Sequence, residues 1–375
     1  MARLGDYIEQ IRGVSYKPED VCAAQDKDAV AILRANNIQD DGLNFDDLVY
    51  VKKSKVSAIQ YIKAGDIVVC ASSGSKNLVG KAAIATEDMD FSFGAFCKVV
   101  RPRKLLPSYV GHYFQSPKYR NKISELAGGA NINNIRNEHI DELDIVVPNT
   151  DEQERISIEL NKICYLISLR KQQLSKLDEL VKSRFIELFG DPILNQHGWR
   201  KMVLEANATL LNGRAYKQDE LLDRGKYPVL RVGNFFSNRG WYYSDLELDD
   251  DKYCDNGDLL YAWSASFGPQ IWSGGKVIYH YHIWKVLVGD AYNKQFLCKL
   301  LEYATESLMG DTHGIAMMHL TKSGMEKTEF IVPPIELQEQ FSAFVEQTDK
   351  SKFEIQRSLE KLETLKKALM QKYFG

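Results

Sequence analysis

From Leu160 to Leu188 apolar residues recur in steps of three and four: Leu160, Ile163, Ile167, Leu174, Leu177, Val181 and Leu188, with Arg170 and Arg184 filling two of the slots. Val345, Ile355, Leu359, Leu362, Leu369 and Tyr373 trace a matching stripe near the end of the chain. Alternating steps of this kind keep one seam of a helix turned toward a partner helix. The pattern predicts two amphipathic helices of roughly 35 residues, each about 50 Å long. A helix of that length outruns a small globule, so the two are expected to pack on each other. Leu160, Ile163, Leu174, Leu177 and Val181 are the expected seam of the first, and Ile355, Leu359, Leu362 and Leu369 that of the second.

Elsewhere the apolar runs are short and broken by Gly, Asn and Asp, as strands are. "DIVVCA" (66–71), "FCKVVRP" (96–102) and "LDIVVP" (143–148) come before the first long helix, and "DLLYAW" (258–263), "IWKVLVG" (283–289) and "EFIVPP" (329–334) before the second. Helical stretches are expected at Tyr109–Leu126 and Lys294–Met309. Each part reads as a small α+β globule followed by a long helix.

The two parts are copies. With a shift of 185, "IVVPNTDEQERI" (145–156) falls on "FIVPPIELQEQF" (330–341), and "KLDELVKSRFIELFG" (176–190) on "KLETLKKALMQKYFG" (361–375). Upstream the shift drifts but the order of matches holds. "RGVSYKPED" (12–20) matches "NGRAYKQDE" (212–220), "ILRANNI" (32–38) matches "VLRVGNF" (229–235), and "GDIVVCASSGS" (65–75) matches "GDLLYAWSASF" (257–267). A period this long is a domain duplication rather than a solenoid. The expected organisation is α+β, with two similar globules (1–148 and 191–333) joined by two antiparallel helices (149–190 and 334–375) about a pseudo-two-fold axis. Arg170 and Arg184 correspond to Ile355 and Leu369, and Ile167 and Val181 to Lys352 and Lys366, as in copies diverged to fit each other.

Composition narrows the class. The 375 residues are 44% hydrophobic and 26% charged, ordinary for a globular protein. No apolar run approaches a membrane span, and the start "MARLGDYIEQ" has no apolar signal core. Six scattered cysteines without a C-x-x-C pair point to reduced thiols in a cytoplasm.

Catalytic signatures are missing. "GSKNLVGKAA" (74–83) has five residues between its glycines where a P-loop has four, and Ala82 where Ser or Thr must reach Mg²⁺; it reads as a glycine-rich turn. His280 and His282 are spaced as one face of a strand, and no metal-ligand spacing is found. Nucleic-acid features are local against a net charge of −3. From Phe91 to Ser124 there is no acidic residue, but there are Lys98, Arg101, Arg103, Lys104, Lys118, Arg120 and Lys122, enough to follow a phosphate backbone. Loop residues with chemistry for base edges or phosphates sit at matched places: Tyr16, Lys17, Arg34, Asn37, Ser72, Ser73, Lys76 and Asn77 in the first copy, and Tyr216, Lys217, Arg231, Asn234, Ser264, Ser266 and Lys276 in the second. Lys118 and Lys122 complete the expected DNA-binding set.

The order globule, "VVPNTDEQERI", long helix, "KSRFIELFGDP", globule, "IVPPIELQEQF", long helix resembles the specificity subunit of type I restriction–modification enzymes over essentially the whole chain. The resemblance implies two target-recognition domains, each reading half of a split, asymmetric sequence in double-stranded DNA. It implies that the helices space those domains and dock two methyltransferase (modification) subunits, with restriction/translocase subunits joining the assembly. No cofactor is expected in this chain; S-adenosylmethionine, ATP and Mg would belong to the partners. Two other readings remain at this point: the DNA-recognition subunit of a type II-like modification system, and a two-globule scaffold that binds no DNA.

Overall fold

The computed structural model of the chain describes residues 1–75, 77–127, 133–237, 240–264, 266–310 and 321–375. The chain divides into two compact units, Met1–Gln173 with Ile355–Gly375, and Leu174–Glu354. No helix among the described residues is long and apolar enough to cross a membrane.

Unit 1 holds a four-stranded antiparallel sheet in the order Ile8–Arg12, Cys97–Pro102, Ile67–Cys70, Ala82–Ile84. A second sheet runs Phe91–Phe93, Ala29–Leu33, Val49–Lys52, its first pair parallel. Ile11, Val68 and Val99 of one sheet meet Leu33 and Phe93 of the other in a buried cluster. Helices α1 (Pro107–Gln115), α2 (Pro117–Leu126) and α3 (Asn137–Asp141) follow, and then α4 (Thr150–Phe189). The stretch expected as one helix at Tyr109–Leu126 is thus two. Pro117 has no N–H to continue the ladder, and the extended Ser116 caps α2 by accepting from the Tyr119 amide at 3.3 Å.

Unit 2 repeats the plan. Its antiparallel sheet runs Ala208–Asn212, Ile283–Val288, Leu259–Ser264, Ser266–Ile271. The second sheet runs Tyr242–Ser244, Tyr227–Leu230, Val277–Tyr279, Tyr253–Cys254, again with a central parallel pair. Helices α5 (Val232–Phe236), α6 (Lys294–Gly310), α7 (Lys322–Glu326) and α8 (Ile335–Phe374) complete the chain. The run "LLYAW" is apolar without alternation because both faces of its strand are covered. Leu260 and Ala262 join the cluster against the second sheet, whereas Leu259 and Tyr261 pack with Phe296 of α6 and Phe185 of α4.

One tight place recurs in both units. A Cβ on Gly13 would lie 2.1 Å from the Gly94 carbonyl oxygen, and one on Gly213 would lie 2.4 Å from the His280 oxygen, so only glycine fits. The next residues, Val14 and Arg214, form parallel bridges to Gly94 and His280.

The long helices meet as antiparallel partners within each unit. In unit 1 the Tyr373 hydroxyl donates to Glu159, while farther along α4 Lys171 borders the same groove as Glu363. In unit 2 Asp178 pairs with Lys352 at 2.6 Å, Arg184 lies over the Phe344 ring, and Phe185 meets Phe341. Of the expected seam, Leu160, Ile163, Val181, Leu359 and Leu369 are buried, and Leu174, Leu177, Ile355 and Leu362 are half-buried. Arg170 and Arg184 turn their charge to Gln173 and Glu187 on their own helix.

The matched helix beginnings and endings have physical causes. Gln153 and Gln338 are buried amides. Gln153 Oε1 accepts from the Leu106 amide at 3.0 Å, and its Nε2 donates to the Pro148 carbonyl at 2.9 Å. Gln338 Oε1 accepts from the Asn293 amide at 2.8 Å, and its Nε2 donates to the carbonyls of Pro333 and Ala291. Each glutamine fastens the start of a long helix to the segment leading into an earlier helix of its own unit, α1 for Gln153 and α6 for Gln338. At the other end, Gly190 takes φ +70° and returns its amide to the Ile186 carbonyl at 2.8 Å, a left-handed helix stop. Gly375 makes the same bond to Gln371.

Candidate nucleic-acid interface

In unit 1 a cleft of about 740 Å³ opens where four segments converge, 14–16, 34–36, 72–74 and 94–97. Tyr16, Arg34, Ser72 and Ser73 line it together with Gly74 and Phe96. Tyr16 arrives after the tight Gly13–Gly94 approach. Beyond it, the Lys17 amide donates to the Asp20 carboxylate at 2.9 Å and closes a short turn. That amide first, then Lys55, holds the Asp20 carboxyl below its ordinary range. Arg34 ends the strand Ala29–Leu33, and its Nη2 donates to Asp47 at both the carbonyl and the carboxylate. Ser72 and Ser73 pair with Asn134 and Asn133 in a two-residue ladder.

Unit 2 builds the equivalent place with different side chains. The Lys217 amide donates to Glu220 at 2.8 Å, and Arg214 grips the same carboxylate with two bonds at 2.7 and 2.9 Å. The guanidinium of Arg214 first, then the Lys217 amide, pulls the Glu220 carboxyl down to about 2. Asp20 and Glu220 thus explain the matched "YKPED" and "YKQDE": each acid caps the turn that presents a tyrosine and a lysine. Arg231 lies over the Tyr242 ring at 4.3 Å, and Lys276 over the Tyr253 ring at 4.3 Å. Asn234 Nδ2 donates to the Gly240 carbonyl at 3.2 Å. Ser264 and Ser266 face each other across the hairpin tip.

A run of rings borders this place: Tyr216 to His280 at 6.3 Å, His280 to Tyr281 at 4.5 Å, Tyr281 to His282 at 4.0 Å, and His282 to Trp263 at 5.1 Å. His280 and His282 do not share a strand face as their spacing predicted. They lie in the turn between Val277–Tyr279 and Ile283–Val288, because the Ile283 amide returns to the His280 carbonyl and reverses the chain. Burial first, then the neighbouring charges of His282 and Arg231, pushes His280 down to about 4.

Other expected residues fall differently. Asn37 has no accessible surface; its Oδ1 accepts from the Arg34 amide and its Nδ2 donates to the Asp46 carbonyl, so it shapes the loop from beneath. Lys17 and Lys217 are exposed. Asn77 is exposed, and Lys76 lies outside the described residues. The acid-free run of seven positive charges is not a continuous track. Lys98 is buried between Gln10 and Asn137, and burial pushes it down to about 8. Arg101 is locked on Asp66, Arg103 pairs with Glu9, and Arg120 holds the carbonyls of Val79 and Asn77. Lys104 sits over the Tyr7 ring at 5.7 Å. The acids that neutralise the strand end lie outside the run in sequence and beside it in space. Lys118 is half-buried beside Met1, and Lys122 is exposed, 3.8 Å from Glu125.

The sequence pattern missed Phe96, Trp263, Tyr281, Arg214 and Asp47. The repeat register could have found Trp263, because the matched "VVCAS" and "LYAWS" set it opposite Ala71; the Val14–Gly94 and Arg214–His280 bridges, which set Phe96 opposite His282 and Ala95 opposite Tyr281, exist only in the fold.

The family model described as "Type I restriction modification DNA specificity domain" matches residues 1–179 and again 197–367. The chain is 34% identical over 270 residues to the type I restriction enzyme StySPI specificity subunit of Salmonella potsdam. It is 36% identical over 273 residues to the EcoKI specificity subunit of Escherichia coli K12. Either match takes in 67% of this chain and 58% of the relative, so it spans little more than half the length of those proteins. In fold the chain is similar to the type I restriction–modification S subunit from M. genitalium, with a TM-score of 0.58 at 16% identity, over 100% of this chain and 95% of that one. It is also similar to a chain from a structural study of complex assembly and conformational transition in the type I system, with a TM-score of 0.52 at 14% identity, over 98% of this chain and 97% of that one.

Proposed function

Because the chain belongs to the type I restriction–modification DNA specificity family, we propose that it is the sequence-reading subunit of such a system. Each unit reads one half of a split, asymmetric target in double-stranded DNA, with residues 1–148 and 191–333 as the recognition domains. The helices at 149–190 and 334–375 act as spacers and dock two methyltransferase subunits, to which restriction/translocase subunits are added. The chain itself catalyses nothing, works in the cytoplasm, and leaves S-adenosylmethionine, ATP and Mg to its partners.

The observation that carries this reading is the matched placement of Tyr16 with Tyr216, Arg34 with Arg231, and Ser72 with Ser264 around equivalent loops of two duplicated scaffolds. Arginine and serine carry donors suited to base edges, whereas the exposed Lys17, Lys217, Lys122 and Lys276 suit phosphates, which position a protein without reading sequence.

Long-read methylation mapping of host genomes carrying and lacking the gene tests it. The gene should add one split motif. Arg34→Ala should relax bases in one half only, and Arg231→Ala in the other only. An unsplit motif, or a variant that changes both halves, would overturn the reading.

A further inference from the structure

Asp47 stands beside the unit 1 cleft, and the reading above gives it no part. Its φ of 52° lies in the left-handed region, which an L residue occupies at a cost that is smallest for Asn and Asp. Asp47 and Asn195 are the non-glycine residues with positive φ among the described residues. This conformation delivers both the carbonyl and the carboxylate of Asp47 to one guanidinium, with Arg34 Nη2 donating to O and Oδ2 at 2.7 Å each. Asn36 Nδ2 donates to the same Oδ2 at 3.3 Å, and Asn37 holds the neighbouring Asp46 carbonyl at 2.8 Å. The Asp47 side chain is nevertheless 78% exposed and that of Arg34 35%. A pair so exposed contributes little to stability. What it governs is where the guanidinium points and what charge surrounds it.

Both Nη2 hydrogens are engaged by Asp47, and Nε is enclosed without a partner. The two Nη1 hydrogens are the donors left for a ligand in the cleft. An arginine standing alone at a DNA surface is drawn to any phosphate. A carboxylate 2.7 Å away offsets that attraction and repels phosphate, yet leaves donors for a neutral acceptor such as guanine O6 or N7. Resting on the DNA-reading function above, we propose that Asp47 is a positioning residue that aims Arg34 at a guanine edge and away from the backbone. It thereby sets specificity in the half-site read by unit 1. Unit 2 uses another device, since Arg231 lies over Tyr242 and, among the described residues, pairs with no carboxylate.

The test uses the full chain. A randomised duplex library gives base preferences, and titration of a random-sequence duplex across salt concentrations gives the phosphate component. Asp47→Asn suits the left-handed backbone and keeps a side-chain acceptor while losing the charge; Asp47→Gly keeps the backbone and its carbonyl but loses both the side-chain acceptor and the charge. Both variants should bind random-sequence duplex about three- to tenfold more tightly at low salt, with the logarithmic salt slope steeper by about one. Asp47→Gly should also lose about tenfold of the guanine preference at one position, and Asp47→Asn should retain most of it. In an Arg34→Ala background Asp47→Gly should no longer change the salt slope. If the parent chain enriches a split motif and both variants keep its base preference and salt slope, Asp47 does not position Arg34, although the DNA reading stands. A parent chain that enriches no motif overturns the DNA reading, and this proposal with it.

Discussion

Ala95 and Phe96 line the unit 1 cleft, and Ala71 is buried next to its Ser72; the equivalent positions in unit 2 carry Tyr281, His282 and Trp263. Beneath these surfaces the two units agree closely. Both have the glycine that lets two backbones touch, the acid that caps the tyrosine–lysine turn, the parallel strand pair, and the buried glutamine at the helix start. Duplication preserved what backbone hydrogen bonds and close approach require and released what faces the cleft. Two units built on one plan can therefore differ in surface chemistry without differing in architecture.

The helix anchors differ as well, and this gives the largest expected effect. In unit 2 Phe185 is buried among Phe189, Phe296, Tyr303 and Phe341, at ring distances of 4.9 to 5.6 Å. The equivalent residue in unit 1 is the flexible Met370, also buried. Phe185→Ala should cost about 4 kcal/mol and Met370→Ala about 3. All five tryptophans lie in unit 2, so their fluorescence follows that unit alone. The tryptophan-detected denaturation midpoint should fall for Phe185→Ala and hold for Met370→Ala, which should show instead in the helical circular dichroism. Equal shifts by both probes would mean that the units unfold as one.

The glutamines give the next effect. Leucine at Gln338 leaves the Asn293 amide and the Pro333 and Ala291 carbonyls unpaired, whereas at Gln153 it leaves the Leu106 amide and the Pro148 carbonyl. Gln338→Leu should cost about 3 kcal/mol and Gln153→Leu about 2, read from urea midpoints at constant slope. A reversed order would show that water satisfies the unit 2 groups.

The smallest effect is pH-dependent and sharpens the contrast from the unit 1 side. His112 on α1 is buried, with Nε2 2.8 Å from Asn161 Oδ1 on α4. Burial pushes its pKa down to about 4; Lys366 adds to the fall and Asn161 opposes it. The unfolded ring takes a proton near pH 6.5, while the folded ring resists until about pH 4. The stabilising effect is present above pH 6.5 and fades as pH falls through that window, by about 2 kcal/mol at pH 5. His112→Gln should remove that part of the acid sensitivity in dichroism-detected melts at pH 7 and 5, and a chain equally sensitive with and without His112 would refute the assignment.

The apolar periodicity and the internal repeat were enough to determine two α+β copies and two long helices, because burial imposes a period and duplication imposes a register. They could not tell where charge goes. Lys98, Arg101 and Arg103 read as a phosphate track in a stretch without acids, yet Asp66 and Glu9, distant in sequence, meet Arg101 and Arg103 across the sheet, and Lys98 is buried against Gln10 and Asn137. Nor could they separate Arg34 at the cleft from Asn37 beneath it, three residues apart and equally polar. Periodicity is a local property of the chain and survives in one dimension. The partner of a charge, and whether a loop amide faces solvent or its own backbone, depend on segments brought together only by the fold, and those were decided by the tertiary structure.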